Sequence, residues 1–186
     1  MFTVSCERKS RESLCDNFLL ENSTLKEGDE YEIMNTVLST YYPENKFVNL
    51  LQETDTSVST EYVRERLVSV NTIFDSLMLV NFEVRNSIGY FLDEGYLDDY
   101  VHLLNRKELQ CLFSGDGSGW KRYYEKYAES NGYLIFSMPG INAEKNKAII
   151  VYSHECGYLC GSGFIVLLEK KDNRWVVTNR IMTWIS

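Results

Sequence analysis

The ten residues HECGYLCGSG, 154–163, bring one histidine, two cysteines and three glycines together. Three chemistries fit these residue types. His154, Cys156 and Cys160 are soft metal ligands, but structural zinc wants four, usually from paired short motifs. No second cysteine pair accompanies them and His102 stands apart, so Glu155 or a partner chain would have to complete a metal-binding loop over 154–160. Redox chemistry is the second case. The spacing is C-x3-C rather than C-x-x-C, and no helix N-terminus is expected here to lower a thiol pKa. A disulfide between Cys156 and Cys160 needs Cα atoms within about 7 Å and is favoured in an exported protein. Third, Cys156 as nucleophile and His154 as base, with Asp116, would give an enzyme of unspecified reaction. Such a pair also needs an orienting group and oxyanion donors, and the sequence identifies neither. The leading reading is plainer. The segment joins two strands, and Gly157, Gly161 and Gly163 supply the positive φ that tight or bulged connections use. No cofactor and no metal follow from it.

The flanking elements support that reading. AIIVYS before the loop and GFIVLLEK after it are almost wholly apolar, as expected of central strands covered on both faces. KKDNR then reads as a hairpin turn, and WVVTNRIMTWIS as a last strand broken near Asn179. Such short connections predict antiparallel pairing. Upstream, DEYEIMNTVLSTYYP reads as a helix stopped by Pro43, with Asp29 as cap and Glu32 three residues on. Tyr31, Met34, Leu38 and Tyr41 share its apolar face. KFVNLLQE is a short strand. Residues 60–80 read as the longest helix, with Val63, Leu67, Val70, Phe74 and Leu77 on one side. Residues 81–99 read mostly as loop, YVHLL as a strand and RKELQCLF as a helix. The glycine-rich SGDGSGW lacks the lysine that closes a P-loop and feeds a helix capped by Ser118. There Trp120, Tyr123, Tyr124 and Tyr127 form an aromatic stripe, read as core. The expectation is an α+β domain over 29–186, its N-terminal helices packed on one face of a C-terminal antiparallel sheet, after a polar, disorder-prone tail over 1–28.

The totals restrict partners. The 186 residues carry a net charge of −8. That sign opposes nucleic-acid binding and docking on anionic lipid. The acid concentrated at Asp93, Glu94, Asp98 and Asp99 reads as a solvated loop. No apolar run approaches the roughly 20 residues of a transmembrane helix. No intact secretory signal follows Met1, so localisation stays open. MFTVSC nevertheless resembles the end of a bacterial lipoprotein signal, followed by the charged ERKSRES. With a start upstream, Cys6 becomes a lipid-anchor candidate and the cell envelope the expected location.

The last 70 residues or so resemble a group of small, uncharacterised bacterial proteins. The shared pattern is G-W before an aromatic helix (Gly119–Trp120), Gly140–Asn142, the strand Ala148–Tyr152, and a C-G-x-L-C-G-x-G loop at Cys156–Gly163. It continues with Glu169–Lys170, W-x-V at Trp175–Val177 and W-I-S at Trp184–Ser186. The resemblance implies an envelope lipoprotein and carries no activity. The strand–turn–strand ending is also similar to cone-shaped folds of the nuclear-transport-factor type. Together these readings point to a non-enzymatic binding or interaction domain for a small molecule or protein. Its recognition surface is expected on the concave sheet face or on the rim formed by Asp116 and residues 154–163.

Overall fold

The computed structural model describes Cys15 and residues 18–42, 47–72, 74–115 and 117–186. Cys6, Pro43 and Asp116 fall outside the described residues. The described helices are α1 (Asp29–Tyr41), α2 (Thr60–Ser69), α3 (Ser76–Arg85), α4 (Arg106–Phe113) and α5 (Gly119–Lys126). The strands are β1 (Val48–Leu51), β2 (Val101–Leu104), β3 (Tyr133–Phe136), β4 (Gly140–Ile141), β5 (Lys147–Gly157), β6 (Cys160–Lys171) and β7 (Arg174–Ile185). The class is α+β, with helices mostly ahead of the long strands.

The strands form one sheet in the order β2-β1-β3-β5-β6-β7, and β4 continues the β3 side of β5. β5, β6 and β7 are an antiparallel meander. The β6–β7 turn places Asp172 and Asn173 at φ 48° and 60°, the left-handed pair that a two-residue hairpin requires. β1 instead pairs parallel with both β2 and β3. Long helical crossovers separate these strands in sequence, as parallel pairing needs.

Helices cover both faces of the sheet, rather than one. The reason lies in the apolar runs of β5 and β6, which turn Ile150 and Val166 to one side and Ile149 and Ile165 to the other. On the first side α1 buries Ile33, Met34, Val37 and Leu38 completely, each worth about 1.5–3 kcal/mol. On the other side α2 and α3 cover Ile149 and Ile165, while α4 and α5 cover Leu51 and Leu104. The aromatic stripe is core as expected. Tyr123 is fully buried, accepts Asn49 Nδ2 at 2.7 Å and donates to Gly132 O at 2.8 Å. Burial pushes its hydroxyl pKa up to about 12.

Three local expectations are corrected. The single helix over 60–80 is two helices, because Asn71 takes φ 52°. Asp75 then caps α3, accepting the Leu77 amide at 2.8 Å. Val70 and Leu77 consequently lie exposed. Asp29 caps nothing: its carboxylate receives Lys170 Nζ at 2.8 Å and Trp175 Nε1 at 3.3 Å, tying α1 to the β6–β7 hairpin. The described part of the 1–28 segment is held against the domain. Leu25 is buried in the core, the Thr24 amide donates to Phe91 O at 3.0 Å, and Cys15 is disulfide-bonded to Cys111 of α4 across 96 residues. At the far end of α1, the Arg180 guanidinium of β7 lies 4.1 Å from the Tyr41 ring centroid and 3.6 Å from that of Phe164.

Candidate functional site

The quoted loop is the tip of the β5–β6 hairpin. Cys156 and Cys160 are joined as a disulfide, Cα–Cα 5.0 Å, so neither sulfur is a free thiol or a metal ligand here. Between them Tyr158 and Leu159 project into solvent, Leu159 at 88% exposure. Tyr124 of α5 donates its hydroxyl to Cys156 O at 2.8 Å, which ties the tip to the helical layer. His154 is turned to the α1 side, its Nε2 2.6 Å from Asn131 O and its ring edge-on to Tyr42. Beside it is a small cavity of about 170 Å³ lined partly by Tyr42, Phe47 and Leu134. Among the described residues no three His, Cys, Asp or Glu side chains gather as a metal site would require.

None of Gly157, Gly161 and Gly163 lies in the left-handed region; the glycines that do are 115, 117 and 132. The expected reason for the glycines is therefore replaced by another. A Cβ on Gly163 would stand 2.1 Å from Trp184 Nε1, and one on Gly161 would stand 2.9 Å from the same ring. The indole of Trp184 lies flat on β6 because two side chains are missing there. A bulge delivers it. Gly163 pairs with Trp184 and Phe164 with Met182, leaving Thr183 as an extra residue of β7. Bulges re-aim side chains, and here Thr183 and Trp184 both reach over Gly163. A second extra residue, Thr178, interrupts the pairing beside Asn179, where the sequence predicts a break.

Trp184 borders a cavity of about 300 Å³. Its floor is sheet: Val151, Ser153 and Ile165, with Thr183 at the rim. Its wall is Asp55, Ser57 and the first turn of α2, with Val58 and Tyr62. Wall and floor are tied directly. Tyr62 donates its hydroxyl to Thr183 O at 3.1 Å, and Arg66 Nη2 donates to Met182 O at 2.8 Å. Asp55 is oriented by its own loop, one carboxylate oxygen accepting the Ser57 amide at 2.8 Å and the Ser57 hydroxyl at 2.7 Å. Ser153 and Thr183 are only partly exposed, and their hydroxyls make no hydrogen bond to the described residues. The same holds for Trp184 Nε1–H, and among the described residues no other ring or cation packs on the indole.

A larger cleft, about 850 Å³, opens at the start of α1. Two ion pairs take up much of its charge, Arg85 with Glu30 at 2.6 Å and Asp29 with Lys170 at 2.8 Å, while Glu27 and Lys145 also line it. Its apolar lining is aliphatic, from Leu77, Ile141 and Ala143, and no aromatic ring among the described residues lines it. The Trp184 cavity is therefore the better candidate. Residues 154–163 contribute to it through Gly163 and the glycines beneath the ring, whereas His154 and Cys156 lie outside its lining. Asp55 and Tyr62 carry no motif, and Trp184 enters the sequence reading only as the first residue of the terminal W-I-S. The signal that points to Trp184 is the pair of alternate glycines on one strand face opposite a tryptophan on the next strand. Among protein families, curated proteins and solved structures, nothing matches this chain.

Proposed function

We propose that this chain is a non-enzymatic ligand-binding domain of an oxidising compartment, with its site at the Trp184 cavity. The observation that carries the proposal is the seating of Trp184. A large apolar ring is held flat over two glycines, one face packed and the other open, beside unpartnered hydroxyls and an oriented carboxylate. Rigid aromatic surface with a few fixed polar groups is the usual make-up of a small-molecule site. The two disulfides, one holding the N-terminal segment and one bracing the tip of the β5–β6 hairpin, support export. Attachment to a bacterial envelope through Cys6 belongs to the same proposal. Against the enzyme reading stands the bonded sulfur of Cys156, which leaves no thiolate to attack.

The test is a fragment screen followed by protein-observed NMR on the disulfide-intact chain. Binders should move the Trp184 indole N–H together with the amides of Ser153 and Tyr62, and Trp184→Ala should abolish those shifts. Fragments that bind only elsewhere, or none at all, would overturn the assignment.

A further inference from the structure

We infer that the ligand of the Trp184 cavity is an uncharged saccharide, its pyranose ring stacked on the indole. The inference rests on the binding-domain reading above and names the ligand class. A pyranose has a face of C–H bonds that is apolar enough to lie on an indole, and a rim of hydroxyls that must be hydrogen-bonded once water leaves. The cavity supplies both halves. The open face of Trp184 takes the C–H surface. Around it stand groups that no described residue satisfies: the hydroxyls of Ser153 and Thr183, which donate and accept, and Trp184 Nε1–H, which donates. Asp55 adds an acceptor whose direction is fixed by Ser57. A carboxylate that chelates two neighbouring sugar hydroxyls forms charge-assisted bonds, stronger than neutral ones.

The competing classes fit less well. An anionic ligand would meet Asp55 and a chain of net charge −8, and no Lys or Arg among the described residues lines the cavity. A quaternary ammonium wants aromatic faces on several sides. The rings of Trp184 and Tyr62 both line the cavity with part of their surface exposed, but a quaternary ammonium would leave the Ser153 and Thr183 hydroxyls unused. An aromatic ligand would stack on Trp184 but leave the Ser153 and Thr183 hydroxyls unused. The volume, about 300 Å³, sits at the small end of ligand sites and suits one or two sugar units rather than a long chain.

The experiment titrates cellobiose, maltose, N,N′-diacetylchitobiose and choline chloride into the isotope-labelled, disulfide-intact protein. Each is taken to about 30 mM, above the ~1 mM Kd expected of a weak site. At least one sugar should shift the Trp184 indole N–H saturably. Trp184→Ala should weaken that sugar at least about tenfold and Asp55→Asn about three- to tenfold, while Trp184→Tyr keeps part of the affinity. Spectra unchanged away from the cavity establish that the variants are folded. If fragments bind at Trp184 but no sugar does, the saccharide class is refuted and the site stands. Binding of choline alone refutes it in favour of a cation. If neither fragments nor sugars reach the cavity, both readings fall.

Discussion

The two disulfides close loops of very different length, and this gives a prediction with a worked magnitude. Cys15 and Cys111 are 96 residues apart, Cys156 and Cys160 only 4. If a cross-link acts by restricting the unfolded chain, its contribution grows with the logarithm of the loop. The chain-entropy relation gives about 4.7 kcal/mol for the long loop and about 2 kcal/mol for the short one. Paired Cys→Ala variants remove each bridge without leaving a lone thiol; Cys15 is buried in the core and Cys160 is exposed, so packing losses add to the entropy difference in the same direction. Urea unfolding, followed by tryptophan fluorescence, should therefore find the Cys15→Ala/Cys111→Ala protein less stable than Cys156→Ala/Cys160→Ala by about 3 kcal/mol. At an m-value of about 2 kcal/mol/M this separates the midpoints by more than ~1 M. The long-loop variant should also show a larger m-value, since its unfolded chain expands further. Equal midpoints, or a rank order reversed, would refute the loop-entropy argument.

Other consequences can be measured in the same way. Tyr123→Phe removes the partner of buried Asn49 Nδ2, whose Oδ1 has no partner among the described residues. Leaving the amide unpaired should cost about 1–3 kcal/mol in chemical denaturation, and a loss below a few tenths would mean that water repairs the site. Arg180→Met keeps the stem but deletes the cation between Tyr41 and Phe164. It should cost about 1–2 kcal/mol, and a double-mutant cycle with Tyr41→Leu should recover a coupling of the same sign. Asp29 gives a pH signature. The hydrogen bond from Lys170 holds its carboxyl below the ordinary 3.8. A lowered folded-state pKa stabilises above the unfolded value and is lost as pH falls through the folded one. The stability gap between the natural chain and Asp29→Asn should thus be full near about pH 6 and shrink below about pH 4; a constant gap would exclude the Lys170 pairing as its cause.

The C-terminal meander is legible from the chain because its two signals are local. Apolar runs long enough to be covered twice mark β5 and β6, and Asp172–Asn173 marks the reversal between β6 and β7. The helix face of α1 is legible for the same reason, each turn repeating the burial of the last. What escapes is whatever depends on distant partners. Nothing near Cys15 announces Cys111. The apolar rhythm from Val63 to Leu77 runs through a turn, so periodicity joins two helices that Asn71 and Asp75 separate. Both faces of the sheet are covered, yet the sequence order of helices does not say which side each takes. The candidate site is the clearest case. Gly161 and Gly163 look like turn residues until β7 is laid beside them, and only then does their missing bulk become room for Trp184.

The hydrogen bonds from Tyr62 and Arg66 to the main chain of β7 have an effect beyond bracing the cavity. β7 is the last strand of the sheet, and a bare border of that length invites another polypeptide to add itself and begin a fibre. Near Met182 and Thr183, acceptors that an incoming strand would use are already engaged by α2, and the bulges at Thr178 and Thr183 break the regular spacing such an addition requires. The β7 border should therefore resist strand addition even when many copies crowd together, and weakening the α2 clasp should show first as self-association through it.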